Sequence, residues 1–221
     1  MSRNKKFVLG ASVLLCAAAW LYSNPPTQEP QPESVRQTTT ETISDGTVTL
    51  SYSPKEFGLA VSSEQILNRA YIPPCDPDFE YCLYYIGPDY QSTNFDGAGM
   101  RVKRRADLAT QALCLQTLPP EGNTNTTSSM STSRDFATSI IAPLGNAAAG
   151  HYANGALFRL SYKGSCYEFE TRISASQYAN YPRGSIKEFM PWDQRAMNEK
   201  LLQLLKEMTL PGGVKPFLDV P

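Results

Sequence analysis

The fold is decided by the stretch ALFRLSYKGSCYEFETRI, residues 156–173. Apolar and polar side chains alternate on both sides of Gly164-Ser165, which is the period of a half-buried strand. If Gly164 and Ser165 form a two-residue turn, the register pairs Tyr162 with Tyr167, Leu160 with Phe169 and Phe158 with Thr171 on one face, and Arg159 with Glu170 and Lys163 with Cys166 on the other. The sequence therefore predicts an antiparallel hairpin with an apolar face and a charged face.

The rest of the chain supplies further strands and a few helices. Strands are predicted at 47–53, 80–86, 99–105 and 136–142, several of them rich in β-branched or aromatic residues. Helices are predicted at 63–71, 107–115 and 193–208. The last helix has Asp193 as its N-terminal cap and carries one apolar stripe, formed by Met197, Leu201, Leu204, Leu205 and Met208.

The polar stretch 119–133, PPEGNTNTTSSMSTS, predicts a mobile surface loop between the sheet strands. With that loop outside the regular elements, the pattern favours an α+β fold. We expect a mostly antiparallel β-sheet with the C-terminal amphipathic helix packed on one face.

The segment GHYANGALFRLSYKGSCYEFETRI, residues 150–173, followed by the C-terminal helix, resembles small exported or membrane-anchored bacterial proteins of unknown function. More distantly, it is similar to the PsbP-type α-β-α sandwich. The resemblance covers the C-terminal third of the chain and rests on pattern, so it carries over no functional residue. It implies a noncatalytic role in the cell envelope.

The N-terminus predicts export. Arg3, Lys5 and Lys6 precede the apolar run 7–23, FVLGASVLLCAAAWLYS, which is either a signal peptide or a signal anchor. Ala17-Ala18-Ala19 offers a cleavage site, and cleavage would leave a secreted or periplasmic protein. Trp20 and Tyr22 match the interfacial aromatic belt of an uncleaved anchor. We favour the anchor because the cations lie on the side that stays cytoplasmic.

Three regions follow the leader. Residues 24–46 are rich in Pro, Thr and Glu and predict a disordered linker, because so few apolar residues cannot offset the entropy of ordering. Residues 47–210 form a single globular domain, and 211–221 form a tail. The formal net charge of -1 gives no electrostatic case for binding nucleic acid.

The cysteines predict disulfides. Of the five, Cys16 lies in the leader, which leaves four in the exported part. Three connectivities are possible, and we favour Cys75–Cys82, which closes a small loop, together with Cys114–Cys166. Zinc is the competing interpretation, but neither pair has zinc-ligand spacing and the chain has only one histidine.

Catalytic candidates are few. His151, in AAAGHYANG, could be an exposed general base, but no nucleophile motif accompanies it, so a structural or surface role is favoured. Glu168 and Glu170 share a strand face and could resemble a glycosidase pair. Arg159 and Lys163 should pair with that face and keep both acids ionised, which favours a structural role.

Two further clusters are candidates for binding. Asp76, Asp78 and Glu80 could supply oxygens to calcium, although they form only half a site. The other cluster is basic: Arg101, Lys103 and Arg105 share a strand face that could dock an anionic polymer or lipid headgroups. A solvated edge strand is the favoured interpretation of this second cluster.

These observations predict a noncatalytic, membrane-tethered envelope protein that faces outward and binds a protein or a cell-wall polysaccharide. The alternative is a secreted hydrolase with a site near His151. No cofactor and no nucleic-acid partner are expected, and the oligomeric state is left open.

Overall fold

The computed structural model describes residues 39–60, 81–119 and 122–220. The described strands are β1 (Glu41–Ser44), β2 (Thr49–Tyr52), β3 (Phe57–Ala60), β4 (Tyr81–Tyr85), β5 (Phe95–Arg104), β6 (Gly122–Thr132), β7 (Phe136–Ala148), β8 (His151–Tyr162) and β9 (Ser165–Ser176). The described α-helices are α1 (Gln111–Gln116) and α2 (Pro191–Lys206), and a 3₁₀ turn spans Tyr178–Asn180.

All of these strands pair antiparallel. Seven form one sheet in the order β3-β4-β5-β9-β8-β7-β6, and β1 and β2 form a separate two-stranded sheet. The architecture is therefore mostly antiparallel β with a C-terminal helix, which confirms the coarse fold class predicted from the sequence. The β8–β9 hairpin lies near the middle of the large sheet, and its side chains contribute to both faces of that sheet.

The hairpin forms, but its predicted register is wrong by two residues. Tyr162 pairs with Ser165 and Phe158 with Phe169, so the turn residues are Lys163 and Gly164. Both have positive φ, 48° and 76°, as a type I′ turn requires. Glycine takes the second left-handed position there, whereas a Gly164-Ser165 turn would have placed serine in it. Since side chains alternate with period two, the shift leaves every residue on its predicted face.

One face of the large sheet lies over the main apolar core. Buried side chains of β5, β8 and β9 share this core with α2, which buries Met197, Leu201, Leu204 and Leu205. The strand pair β1–β2 contributes Leu50 and Tyr52, and Thr49 bridges to Thr209 just after α2.

On the opposite face of the sheet, α1 packs against β7, β8 and β9. Cys114 of α1 forms a disulfide with Cys166 of β9, and both cysteines lie in a small apolar cluster with Leu108, Leu115 and Ala137. The predicted Cys114–Cys166 bond is therefore present, and both faces of the sheet are partly covered. Cys82 in β4 is also disulfide-bonded, while Cys75, its predicted partner, lies outside the described residues.

Three predicted boundaries are wrong. The stretch predicted as a mobile loop, 119–133, contains β6, because its threonines and serines extend the hairpin from β7. Strand β1 lies inside the predicted linker 24–46 and pairs with β2. The predicted tail, 211–221, belongs to the domain, since it buries Phe217 and Val220 in the main core.

The C-terminal helix begins earlier than predicted. Met190 is the N-cap and Pro191 the first helical residue, so Asp193 is the third helical residue instead of the cap. Its carboxylate accepts a hydrogen bond from the Met190 amide at 2.9 Å. The helix predicted at 63–71 lies outside the described residues, as do the leader and most of the linker.

Candidate functional site

The charged face of the sheet brings together the basic cluster and the glutamate pair. Arg101 on β5 pairs with Glu170 on β9, and Glu168 pairs with Arg159 on β8. All four side chains are buried, and Arg159 is only 1% exposed. Strand β5 lies between β4 and β9, so the expectation of a solvated edge strand is wrong.

Each glutamate in this cluster is held by two guanidinium groups. Glu168 accepts hydrogen bonds from Arg105 and Arg159 at 2.9 Å each. Glu170 accepts from Arg101 and from the Nε of Arg172. Both carboxylates are therefore engaged in ion pairs within the sheet, which favours a structural role for them over glycoside hydrolysis.

Lys163, the second basic residue predicted to pair with the glutamates, is placed differently. In the observed register Lys163 is a turn residue, which moves it away from the glutamates. Its Nζ lies 5.1 Å from the centre of the Tyr162 ring. Lys103 is half-buried on β5 opposite Glu168. Arg101 and Arg105, the two other candidates for binding an anionic polymer, donate to glutamates.

At the margin of the network, Arg105 also binds Asp107 through two hydrogen bonds, of 2.8 and 2.6 Å. The Arg105 guanidinium holds the pKa of the Asp107 carboxyl at about 2, mainly through these hydrogen bonds. The same contact raises the pKa of Arg105. This bidentate pair extends the network from the sheet into the segment before α1.

The network also fastens α1 to the sheet. The Nη1 of Arg159 donates to the carbonyl oxygens of Cys114, at 3.2 Å, and Thr117. A cation at a helix C-terminus satisfies free carbonyls and complements the helix dipole. With the Cys114–Cys166 bond beside it, this arrangement attaches α1 at two points. Arg159 and the disulfide therefore hold α1 against the sheet.

His151 meets an acid. Its Nδ1 lies 3.0 Å from a carboxylate oxygen of Asp96, and 36% of the histidine side chain is exposed. The nearest serine in register is Ser176, directly opposite on β9. The Ser176 hydroxyl is buried and engaged with the Asn94 carbonyl and the Tyr181 hydroxyl. The structure thus places a carboxylate beside His151, while the serine opposite the histidine makes structural contacts.

The tyrosines of β4 and the following turn serve as packing residues. Tyr81 is buried in the main core, and Tyr85 and Tyr90 pack against it. The ring of Tyr90 meets that of Phe189 edge-on, with centroids 5.1 Å apart. Burial and a hydrogen bond to Asp89 raise the pKa of the Tyr85 phenol. These rings are therefore engaged mainly in packing.

Sequence reasoning missed a groove beside α2. It has a volume of about 400 Å³ and lies between the N-terminal half of α2 and the strands β7, β8 and β9. Four of its lining residues are polar: Asn154, Gln194, Arg195 and Asn198. Within the ranges that the structure describes, none of these four side chains makes a hydrogen bond or an ion pair.

The groove exists because the side chains on the core face of β8 differ in size and polarity between the two ends of the strand. Near the hairpin turn, Phe158 and Leu160 fill the core face, and Phe217 from the C-terminal segment covers Phe158. At the other end, the strand carries Asn154 and Ala156 on the same face, which leave the space unfilled. In the sequence, the signal for this groove is the run Asn154-Gly155-Ala156, which interrupts the larger side chains of β8.

No candidate metal centre is formed by the described residues. Among them, no group of three or more His, Cys, Asp or Glu side chains could hold a metal ion. Asp76, Asp78 and Glu80, the calcium candidates, lie outside the described residues. The described segments also contain no helix long and apolar enough to cross a membrane, and the predicted anchor at 7–23 falls outside them.

No protein-family model matches the chain, and no curated protein matches it. Its candidate sites are therefore judged on their geometry alone.

Proposed function

We propose that this chain is an exported, membrane-tethered envelope protein whose folded domain acts without catalysis. In this proposal the domain binds a protein or a cell-wall polysaccharide in the groove beside α2. The observation that carries it is the set of polar side chains with unused hydrogen-bonding groups along that groove. A concave site with a few convergent polar groups on an apolar lining is the usual form of a binding site.

Export is supported by three features of the chain. The basic and apolar N-terminal segment, residues 1–23, has the composition of a signal peptide or anchor. The buried Cys114–Cys166 disulfide is a bond that forms and persists mainly in oxidising compartments outside the cytoplasm. The resemblance of residues 150–173 to exported bacterial proteins supports the same address.

The orientation of α2 is part of the proposal. Its buried stripe, which includes Met197 and Leu201, faces the core, while Gln194 and Asn198 stand one turn apart on the flank of that stripe. An amphipathic helix packed across one face of the sheet would thus present its polar flank to the groove. The helix would supply both the core and one wall of the site.

The proposed address is tested with a C-terminal alkaline phosphatase fusion of the full chain, because this reporter is active only where its own disulfides form. We expect activity in the membrane fraction of a bacterial host, and loss of that activity on deletion of residues 1–23. Activity confined to a soluble fraction would contradict the tether. An inactive fusion protein made in full would contradict export.

Binding is tested by sedimenting the full chain, in mild detergent, with purified envelope material that includes cell-wall sacculi. We expect the wild type to sediment and the double variant Gln194→Ala/Asn198→Ala to remain in solution. Glu199→Ala is the matched control, since Glu199 is exposed on the same helix and does not line the groove. If wild type and double variant sediment equally, the groove is not the binding site.

A hydrolase is the second candidate, and the 3.0 Å contact between His151 and Asp96 favours it. Incubating the chain with envelope polymers and chromogenic esters, with His151→Gln as comparison, separates the two functions. Our proposal expects no hydrolysis by either protein. Turnover by the wild type that His151→Gln abolishes would reverse it.

A further inference from the structure

We infer that the groove beside α2 recognises a glycan whose pyranose units carry acetamido groups. This inference rests on the proposed binding function of that groove and adds the chemical class of its ligand. It is argued from three properties of the groove, which are its hydrogen-bonding groups, its charge and its apolar lining, and from an exposed aromatic ring next to Arg195 on α2.

The hydrogen-bonding groups of the groove are mainly amides. Asn154 projects from β8, while Gln194 and Asn198 project from α2 on the other side. Each amide offers two N–H donors and a carbonyl acceptor held in one plane. Sugar hydroxyls both donate and accept, and an acetamido group presents one N–H and one carbonyl. Amides on two opposite walls can therefore satisfy such a ligand from both sides.

The charge of the groove argues against a cationic ligand. Its lining contains no carboxylate and a single cation, Arg195, which is exposed. A cationic peptide would thus find no counter-charge, and a polyanion would find only one partner. An uncharged polar ligand needs neither, and the Arg195 guanidinium can donate hydrogen bonds to its carbonyl or hydroxyl oxygens.

The lining also has an apolar part. Ile173 lies buried in the floor, and Ala156 and Pro143 border it. This surface matches the C–H face of a pyranose ring and the methyl group of an acetamide, whose burial contributes favourably. Amide side chains next to an apolar floor correspond to the polar and apolar halves of an N-acetylhexosamine.

An exposed aromatic ring lies next to Arg195 on the surface of α2. Trp192 is 58% exposed, and it precedes Arg195 by three residues in α2, so the two side chains are neighbours on the helix surface. An exposed indole is a flat amphipathic surface with one N–H donor. It can stack on a sugar unit that extends beyond the groove. The other tryptophan of the chain is Trp20, in the leader.

This arrangement makes Trp192 a reporter. In the full chain with Trp20→Phe, held in detergent micelles, Trp192 is the only indole. We titrate this protein with N-acetylchitohexaose and follow its emission. We expect a saturable blue shift, with cellohexaose, which has hydroxyls where the first ligand has acetamido groups, binding at least about tenfold more weakly.

The groove variants locate the binding. In the Trp20→Phe background, Gln194→Ala/Asn198→Ala removes two amides, and the loss of their hydrogen bonds should raise the Kd for N-acetylchitohexaose at least about tenfold. Glu199→Ala should leave the Kd within about twofold. Thermal unfolding confirms that each variant is folded, and within the described part of the chain the Gln194 and Asn198 side chains make no hydrogen bond or ion pair.

Three results would overturn the inference: no saturable response to N-acetylchitohexaose, equal affinity for cellohexaose, or an unchanged Kd in the double variant. The sedimentation assay separates this failure from failure of the proposed function. If the double variant loses envelope binding but the wild type shows no saturable response to N-acetylchitohexaose, the groove binds a ligand of another class. If the double variant binds as well as the wild type both in the sedimentation assay and in the fluorescence titration, both proposals fail.

Discussion

On one face of the seven-stranded sheet, Phe158 and Phe169 meet Phe217 edge-on in an apolar core. On the other face of the same two strands, Arg159 and Glu168 meet in an equally buried charged network. The apolar face gains from any close packing of hydrocarbon, because the hydrophobic effect has no direction. The charged face is stable only when every guanidinium and carboxylate meets its partner. The comparison teaches that the two faces should respond differently to loss of one side chain.

The largest effect should follow from Arg159→Met. This substitution keeps most of the side-chain volume but leaves Glu168 with one cation fewer and the α1 carbonyls without their donor. Removing one partner of a buried charge network costs about 3–5 kcal/mol. Urea unfolding of wild type and variant measures this difference in the free energy of unfolding.

Arg134→Met is the control for that experiment, since Arg134 is exposed in the β6–β7 turn. We expect it to change stability by less than about 0.5 kcal/mol. If Arg159→Met is as mild as this control, the charged face is held by its disulfide and small apolar cluster, and the contrast between the two faces fails.

The second effect concerns the disulfide on the charged face. Cys114 and Cys166 are 52 residues apart, and closing a loop of that length stabilises the folded state by about 2–4 kcal/mol. The double variant Cys114→Ala/Cys166→Ala should lose this amount in urea unfolding. Replacing both cysteines tests this bond alone, whereas a reductant would also break the disulfide of Cys82. A loss below about 1 kcal/mol would show that Arg159 alone holds α1.

Much of this contrast could be predicted from the sequence, and the rest depended on distant contacts. The alternation in 156–173 is enough to place Phe169 and Glu168 on opposite faces, because only period two is needed. The pairing of charges could not select the register, because Arg159 lies opposite Glu170 in the predicted register and opposite Glu168 in the observed one. Backbone conformation at Gly164 decided it.

The remaining errors share one cause. β6 and the buried Phe217 acquire their structure from strands and a core that lie far away in the chain. Local composition in 119–133 and 211–221 is polar or rich in Gly and Pro, and it predicts loops. The groove beside α2 was equally hidden, because it joins Asn154 to Gln194 across a sheet and a helix.

A third prediction uses pH to examine a polar contact on the apolar side. Tyr52 donates a hydrogen bond to Glu41 at 2.6 Å, and burial together with this acid raises the pKa of Tyr52 to about 12. Because the unfolded phenol titrates near 10, the folded state binds the proton more tightly. Its contribution to stability is therefore present below about pH 10 and is lost as pH rises toward 12.

The comparison is wild type against Tyr52→Phe, with unfolding free energies measured from about pH 9 to pH 11. We expect the wild type to lose about 1 kcal/mol more than the variant over this range. Other tyrosines with raised pKa, such as Tyr167, contribute equally to both proteins and cancel. Parallel curves for the two proteins would show that Tyr52 titrates normally in the folded state.

The smallest effect should come from Asp193→Ala at the start of α2. Asp193 accepts one hydrogen bond from the Met190 amide and places a negative charge in the first helical turn. Both contributions are made at a partly exposed helix end, so we expect a loss of about 0.5–1 kcal/mol in urea unfolding. Asp193→Asn, which keeps the acceptor and removes the charge, should lose less than the alanine variant. A polar contact on the apolar side would then contribute several times less than Arg159 does on the charged side, because burial of α2 against the core, and not its cap, holds the helix in place.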